Sequence, residues 1–123
     1  VGNDLTRRDL QLVAREMGRP WDLGKGFDRS APIAPIHPVS KVGHPSKGSI
    51  KLTVNGEVKQ DADLSELIWS IPEMISILSH SMELKAGDVI MTGALAGMQP
   101  VAAGDLAEVE MGALGSVSCC FSA

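Results

Sequence analysis

Four polar side chains near the start of the chain have the types that a metal or small-acid site requires. Asp4 precedes a helical pattern in which Arg8 and Gln11 are three residues apart and therefore share a face. A hard divalent cation prefers carboxylate oxygens, whereas a guanidinium and an amide suit the carboxylate of a small organic acid. These three residues could converge on such a ligand, but the same spacing is common, and taken alone it favours a solvated helix start.

Lys25 is the fourth candidate, and it lies between Gly24 and Gly26. Two flanking glycines let the backbone approach a ligand closely and leave the ammonium group uncrowded. A flexible surface loop would have the same composition, so the local sequence leaves both interpretations open.

The remaining candidate groups give weaker signals. His37 and His44 lie among prolines, and their spacing matches neither a zinc signature nor a helical metal pair. His80 follows an apolar helical face near a predicted helix end, where a structural role is expected. The glycines of the second half lack the lysine and the helix that a nucleotide-binding loop needs, so we interpret them as turns.

A helix and a loop must position the four candidates. A helix with Thr6 as its N-cap is predicted from one apolar face, formed by Leu10, Val13, Ala14 and Met17. Gly18 and Pro20 are expected to end this helix. A loop rich in glycine and charge, residues 19–30, then follows and contains Lys25.

The middle of the chain contains a hairpin signal and two capping signals. Residues 32–45 predict an edge strand and a connection, because each proline there removes a backbone donor. Residues 48–60 alternate apolar and polar side chains around Asn55-Gly56, which predicts a β-hairpin. Asp63 is predicted to cap a short helix, and Ser70 to start a capping box before a second one.

Three further strands are predicted in the second half of the chain. They lie at residues 89–92, around Ala107, Val109 and Met111, and at residues 117–121. No alternation of strands and helices typical of a parallel sheet is visible. The sequence therefore predicts the α+β class, with a mostly-β roll or sandwich-like mixed sheet and short flanking helices, in a single domain over residues 1–123.

Composition and charge disfavour several function classes. The 123 residues, 44% of them hydrophobic and 21% charged, fit one globular domain. A net charge of -4 disfavours a nucleic-acid partner, and no apolar run is long enough to cross a bilayer. Cys119 and Cys120 are adjacent, so a mutual disulfide is unfavourable, and two free thiols suit a reducing compartment. We therefore expect a cytoplasmic protein without nucleic-acid or membrane partners.

The order and spacing of five segments resemble the fumarylacetoacetate hydrolase family over almost the whole chain. The segments are residues 2–11 (GNDLTRRDLQ), 18–32 (GRPWDLGKGFDRSAP), 54–57 (VNGE), 68–73 (IWSIPE) and 87–93 (GDVIMTG). The TRRDLQ variant is most similar to the fumarylpyruvate hydrolases, or acylpyruvases, of that family.

The resemblance implies a role for each candidate. In the family, Mg²⁺ or Mn²⁺ is held by a Glu-x-Glu pair and a later Asp, which Asp4 matches. Arg8, Gln11 and Lys25 match positions that contact the keto-acid substrate, and Lys25 is implied to be catalytic. The implied reaction is metal-dependent hydrolysis of a C–C bond in a 2,4-diketo acid such as fumarylpyruvate, in which the metal and Lys25 stabilise the departing enolate.

This sequence departs from the family in two respects. The Glu-x-Glu pair of the family normally lies upstream of the position that Asp4 matches, before residue 1 of this sequence. The water-activating His-Glu dyad of the family lies on an N-terminal lid that residues 1–123 do not contain. We therefore expect a C-terminal portion that is inactive alone. Its uncovered apolar surface and strand edges predict a homodimer or a higher assembly, or else poor solubility of the isolated chain. Ala94 replaces a threonine that touches substrate in the family. Two alternatives remain, namely a non-catalytic relic or interaction module with this fold, and a related keto-acid hydratase, decarboxylase or isomerase.

Overall fold

The computed structural model describes residues 1–94 and 96–122, and in these residues four strands form one sheet. The strand order is β2-β1-β3-β4, and every described pair is antiparallel. The strands are β1 (Ser49–Val54), β2 (Glu57–Asp63), β3 (Leu106–Glu110) and β4 (Ser116–Cys120). The α-helices are α1 (Arg8–Glu16), α2 (Asp22–Lys25), α3 (Val39–Val42) and α4 (Ile71–Ser79). The predicted α+β class is confirmed.

The β1–β2 hairpin forms as predicted, and its turn is tied to the start of β3. Asn55 and Gly56 have φ angles of 52° and 80°, the left-handed values that a type I′ turn requires. The Asn55 side chain donates to Asp105 Oδ1 at 2.8 Å and accepts from the Leu106 N–H at 2.9 Å. The Asp105 carboxylate also accepts from the Ala102 N–H at 2.7 Å. One turn residue therefore fixes the loop that leads into β3.

The capping predictions for Asp63 and Ser70 are both confirmed. Asp63 caps a short 3₁₀ helix at Leu64–Glu66, and Ser70 caps α4, each with a complete capping box. The predicted N-cap of the first helix is wrong: α1 begins at Arg8, its N-cap is Arg7, and no side chain caps it.

Other differences from the prediction concern the connections. Residues 89–92 are not a strand, because an apolar run becomes a strand only where it pairs with another strand, and the structure assigns no pairing there. The predicted edge strand in the proline-rich stretch is reduced to a single bridge between Gly2 and Ile33, followed by α3. The loop at residues 19–30 contains the short helix α2. The last strand lies one residue earlier than predicted.

The buried apolar core of the described residues is small. It consists of Ala34, Val54, Ala107 and Val109, three of which lie on the paired strands β1 and β3. Many large apolar side chains remain exposed, and Ile68 and Ile36 are 93% and 82% exposed. Within residues 1–94 and 96–122, no helix is long and apolar enough to cross a membrane. Both cysteines are free, as predicted.

We expect the free energy of unfolding to depend less on acidic pH in Asp105→Asn than in the native chain. Hydrogen bonds from the Ala102 N–H and the Asn55 amide hold the pKa of Asp105 below its ordinary value. A carboxylate whose pKa is lowered by folding stabilises the fold above its unfolded pKa, and this stabilisation is lost as the pH falls through the folded pKa. The loss therefore begins below about pH 4.

Urea unfolding of the native chain and Asp105→Asn at pH 7 and pH 3 measures this contribution. The variant should have a lower urea midpoint than the native chain at pH 7. Its midpoint should also decrease less than that of the native chain between pH 7 and pH 3. Asp9→Asn, an exposed position in α1, serves as the control. An equal decrease in the native chain and in Asp105→Asn would contradict the prediction.

Candidate active site

Asp4 lies in an extended segment that is fixed by main-chain pairing. Residues 1–5 run antiparallel to residues 30–34, and three backbone hydrogen bonds of 2.8 to 3.0 Å join them. Two of these bonds come from the N–H groups of Asn3 and Leu5, the residues on either side of Asp4. The backbone of Asp4 is therefore held in place although its side chain is exposed.

The Lys25 ammonium contacts two side chains of this segment. Lys25 Nζ lies 2.8 Å from Asp4 Oδ1 and donates to Thr6 Oγ1 at 2.9 Å. The side chains of Lys25 and Asp4 are 37% and 34% exposed. An ion pair with this exposure contributes little to stability. The contact between Thr6 and Lys25 was not predicted, because the sequence indicated a helix cap for Thr6.

Lys25 reaches Asp4 because α2 packs closely on α1 through Gly24. The Arg7 N–H donates to the Gly24 carbonyl at 2.9 Å. A Cβ atom on Gly24 would lie 3.0 Å from Gln11 N and 3.2 Å from Arg7 O. The close packing of α2 on α1 therefore favours glycine at position 24, whereas the sequence suggested that this glycine allows a ligand to approach.

Arg8 and Gln11 form the second pair of the site, as their i, i+3 spacing predicts. The Arg8 guanidinium donates to Gln11 Oε1, and Gln11 is 8% exposed. Arg8 also lies 3.1 Å from Met98 Sδ, a contact between distant parts of the chain that no sequence pattern indicated. The close approach of Gly24 to Gln11 places the Arg8–Gln11 pair next to the helix that carries Lys25.

The remaining candidates have other surroundings. His37 Nε2 lies 3.1 Å from the Leu114 carbonyl, and His80 is the C-cap residue of α4, so both have the structural or surface roles that were expected. Ala94 is exposed, and the adjoining Leu95 lies outside the described residues.

Asp4 can contribute only part of a metal site. A hard cation such as Mg²⁺ needs about six oxygen ligands, usually including one or two carboxylates and several waters. In the described part of the chain, no group of three or more His, Cys, Asp or Glu residues is arranged to hold a metal ion. The Asp4 carboxylate has the right chemistry for one ligand, and it belongs to no such group among the described residues.

Comparison with known proteins identifies the family and the fold. The family profile for the C-terminal part of fumarylacetoacetate (FAA) hydrolase matches residues 1–122. The chain belongs to this family. A fumarylpyruvate hydrolase from Ralstonia sp is 46% identical over 105 residues, which are 85% of this chain and 54% of that protein. A mitochondrial oxaloacetate tautomerase from Homo sapiens is 41% identical over 118 residues, 96% of this chain and 52% of that protein.

Solved structures of this family have the same fold. A fumarylpyruvate hydrolase from Pseudomonas aeruginosa, in complex with Mn²⁺ and pyruvate, superposes with a TM-score of 0.96 at 48% identity. The match covers 98% of this chain and 52% of that one. A 5-carboxymethyl-2-hydroxymuconate delta-isomerase from Mycobacterium smegmatis matches with a TM-score of 0.87 at 30% identity, over 98% of this chain and 46% of that one. The chain thus spans about half the length of these relatives.

We expect Gly24→Ala to separate α2 from α1. The new Cβ would lie closer to Gln11 N and Arg7 O than side chains normally approach backbone atoms. Overpacking of this kind costs about 1–3 kcal/mol, and thermal unfolding should show the loss. Gly26→Ala is the matched control, because its Cβ would meet only the Asp22 carbonyl, at 3.2 Å. An equal or larger loss for Gly26→Ala would refute the packing role of Gly24.

Proposed function

We propose that this chain is the C-terminal portion of a divalent-metal-dependent hydrolase that cleaves a C–C bond in 2,4-diketo acids such as fumarylpyruvate. The observation that carries the proposal is the contact of Lys25 with Asp4, beside the Arg8–Gln11 pair. These are the four polar residues that could bind a metal-chelated keto acid, in a chain 46% identical to a fumarylpyruvate hydrolase.

Each residue has a distinct task in this proposal. The Arg8 guanidinium and the Gln11 amide bind the substrate carboxylate, for which a fork of N–H donors is well suited. The Lys25 ammonium donates to the oxygen on which the enolate charge develops, so that its positive charge stabilises the departing group. Asp4 offers a carboxylate ligand, and a bound Mg²⁺ or Mn²⁺ would supply Lewis-acid stabilisation of the keto acid.

The remaining metal ligands and the water-activating base belong, in this proposal, to residues outside the 123 of this sequence. A single carboxylate such as that of Asp4 is a poor anchor for Mg²⁺ by itself. The relatives are about twice as long as the region that matches, which leaves room in them for the missing groups. We accordingly propose that the chain is inactive until a second segment completes the site.

A second candidate function is tautomerisation of oxaloacetate. The human relative with this activity is 41% identical over 96% of the chain. Tautomerisation and acylpyruvate cleavage both pass through an enol or enolate of a 2-keto acid, so Lys25 and Arg8 would serve either reaction in the same way. Assays of fumarylpyruvate hydrolysis and of oxaloacetate enol–keto exchange on one preparation distinguish the two functions.

Asp4→Ala tests the metal-binding part of the proposal. The 123-residue chain is combined with the complementary N-terminal half of the Pseudomonas aeruginosa fumarylpyruvate hydrolase and titrated calorimetrically with Mn²⁺ and then with oxalate, a mimic of the pyruvyl enolate. Asp4→Ala should weaken Mn²⁺ binding by at least about tenfold, because a ligand is lost, and Asp9→Ala should leave it unchanged.

The other outcomes of this titration are equally informative. Binding that is the same in Asp4→Ala and the native chain would remove Asp4 from the metal site. No binding of Mn²⁺ or oxalate by a complex that does assemble would favour the alternative of a non-catalytic module with this fold.

We also propose that the exposed apolar surface is covered by a second copy of the chain in a homodimer, in a reducing cytoplasmic compartment. The proposal is supported by the small core, the exposed side chains of Ile68 and Trp69 beside α4, and the free cysteines. Size-exclusion chromatography with light scattering should give twice the 13.0 kDa mass of one chain. Ile68→Ser should shift the distribution toward the monomer, and a native chain that stays monomeric at all concentrations would refute the dimer.

A further inference from the structure

Thr6 contacts the proposed catalytic lysine, yet the proposed reaction gives it no task. Its hydroxyl accepts from Lys25 Nζ at 2.9 Å, while Asp4 Oδ1 lies at 2.8 Å from the same nitrogen. An ammonium group has three donors. In the part of the chain that the structure describes, Asp4 and Thr6 take two of them, which leaves one donor for a ligand.

The sequence predicts that the Thr6 hydroxyl caps the first helix, and the structure gives this hydroxyl a different contact. A threonine at the N-cap position commonly caps the first turn of a helix, but the N-cap of α1 is Arg7, and Thr6 lies one residue before it. The hydroxyl of Thr6 is directed to Lys25 instead. Thr6 therefore has no capping role in α1, and its hydroxyl accepts from the Lys25 ammonium.

Thr6 and Asp4 differ in how they can hold Lys25. Asp4 is charged and, under the proposed function, also serves as a metal ligand, which places a second cation next to the carboxylate. The Thr6 hydroxyl is neutral, and its β-branched side chain has restricted χ1 freedom. A metal ion that binds the Asp4 carboxylate competes with Lys25 for Asp4, but it does not compete for the Thr6 hydroxyl. The hydrogen bond between Lys25 and Thr6 can therefore persist when the metal ion replaces Lys25 at Asp4.

We infer that Thr6 is a positioning residue that anchors the Lys25 ammonium at the site independently of Asp4 and presents its free donor to the keto-acid oxygen. This inference rests on the function proposed above for Lys25. It assigns to Thr6 a role in catalysis that acts through Lys25, without contact with the substrate.

The anchoring is measured on the 123-residue chain by the labelling rate of Lys25 with N-hydroxysuccinimidyl acetate, followed by peptide mass spectrometry. Thr6→Val removes the acceptor at nearly constant volume, so Lys25 should react about fivefold faster. The exposed Lys41 and Lys47 provide internal controls within each sample. Thr6→Ser keeps a hydroxyl and should restore the slow rate, and Thr6→Ala replaces Thr6→Val if the latter does not fold.

A second labelling experiment tests whether Thr6 holds Lys25 independently of the Asp4 carboxylate. The labelling rates of Lys25 with and without Thr6→Val are compared in a chain that also carries Asp4→Asn. Thr6→Val should have a larger effect there, because the competing carboxylate charge is gone. Lys25 labelling that does not change in a folded Thr6→Val or Thr6→Ala chain would overturn the inference, as would an effect shared by Lys41 and Lys47.

Steady-state kinetics test the role of Thr6 separately from the proposed function. They are measured on the complex of this chain with the N-terminal half of the Pseudomonas aeruginosa fumarylpyruvate hydrolase. Thr6→Val should lower kcat for fumarylpyruvate hydrolysis about tenfold with little change in KM, and Thr6→Ser should recover most of it. A complex that binds Mn²⁺ but hydrolyses no fumarylpyruvate would refute the proposed function, while the labelling experiment would still decide the anchoring by Thr6. A rise in KM alone would overturn the positioning role.

Discussion

The close packing of α2 on α1 is the constraint on which the site depends. Lys25 is 21 residues from Asp4 along the chain, and the contact between them exists because the Gly24 carbonyl accepts from Arg7 while the Gly24 Cα lies against Gln11. The antiparallel pairing of residues 1–5 with 30–34 closes the same loop from its other end. Main-chain contacts on both sides thus define where the polar side chains meet.

Elements that depend on neighbouring residues could be predicted from the sequence. The Asn55-Gly56 turn and the Ser70 capping box are determined by local backbone chemistry, and both appear at the predicted positions. The wrong predictions concern features that depend on residues far away in the sequence. Residues 89–92 have the composition of a strand but no strand partner among the described residues. Thr6 lies one residue before the N-cap of α1, and its hydroxyl accepts from Lys25, 19 residues away.

The candidate site could be predicted only in part, for the same reason. The Arg8–Gln11 pair follows from the spacing of residues on one helix face, so the sequence alone indicated it. The approach of Lys25 to Asp4 depends on how two helices pack, and only the resemblance to a family suggested it. The contact of Arg8 with Met98 joins residues 90 positions apart and left no sequence signal.

The ion pair between Lys25 and Asp4 is weak, and a ligand that bound to either side chain would have to replace it. An ion pair in which both side chains are about one-third exposed contributes about 0–1 kcal/mol, so a cation or a keto acid can replace it at small cost. A fully buried Lys–Asp pair would resist the same exchange, because separating it leaves a desolvated charge. The paired backbone around Asp4 therefore preserves the geometry of the site. The weak contact between the side chains of Lys25 and Asp4 leaves both charges available to a ligand.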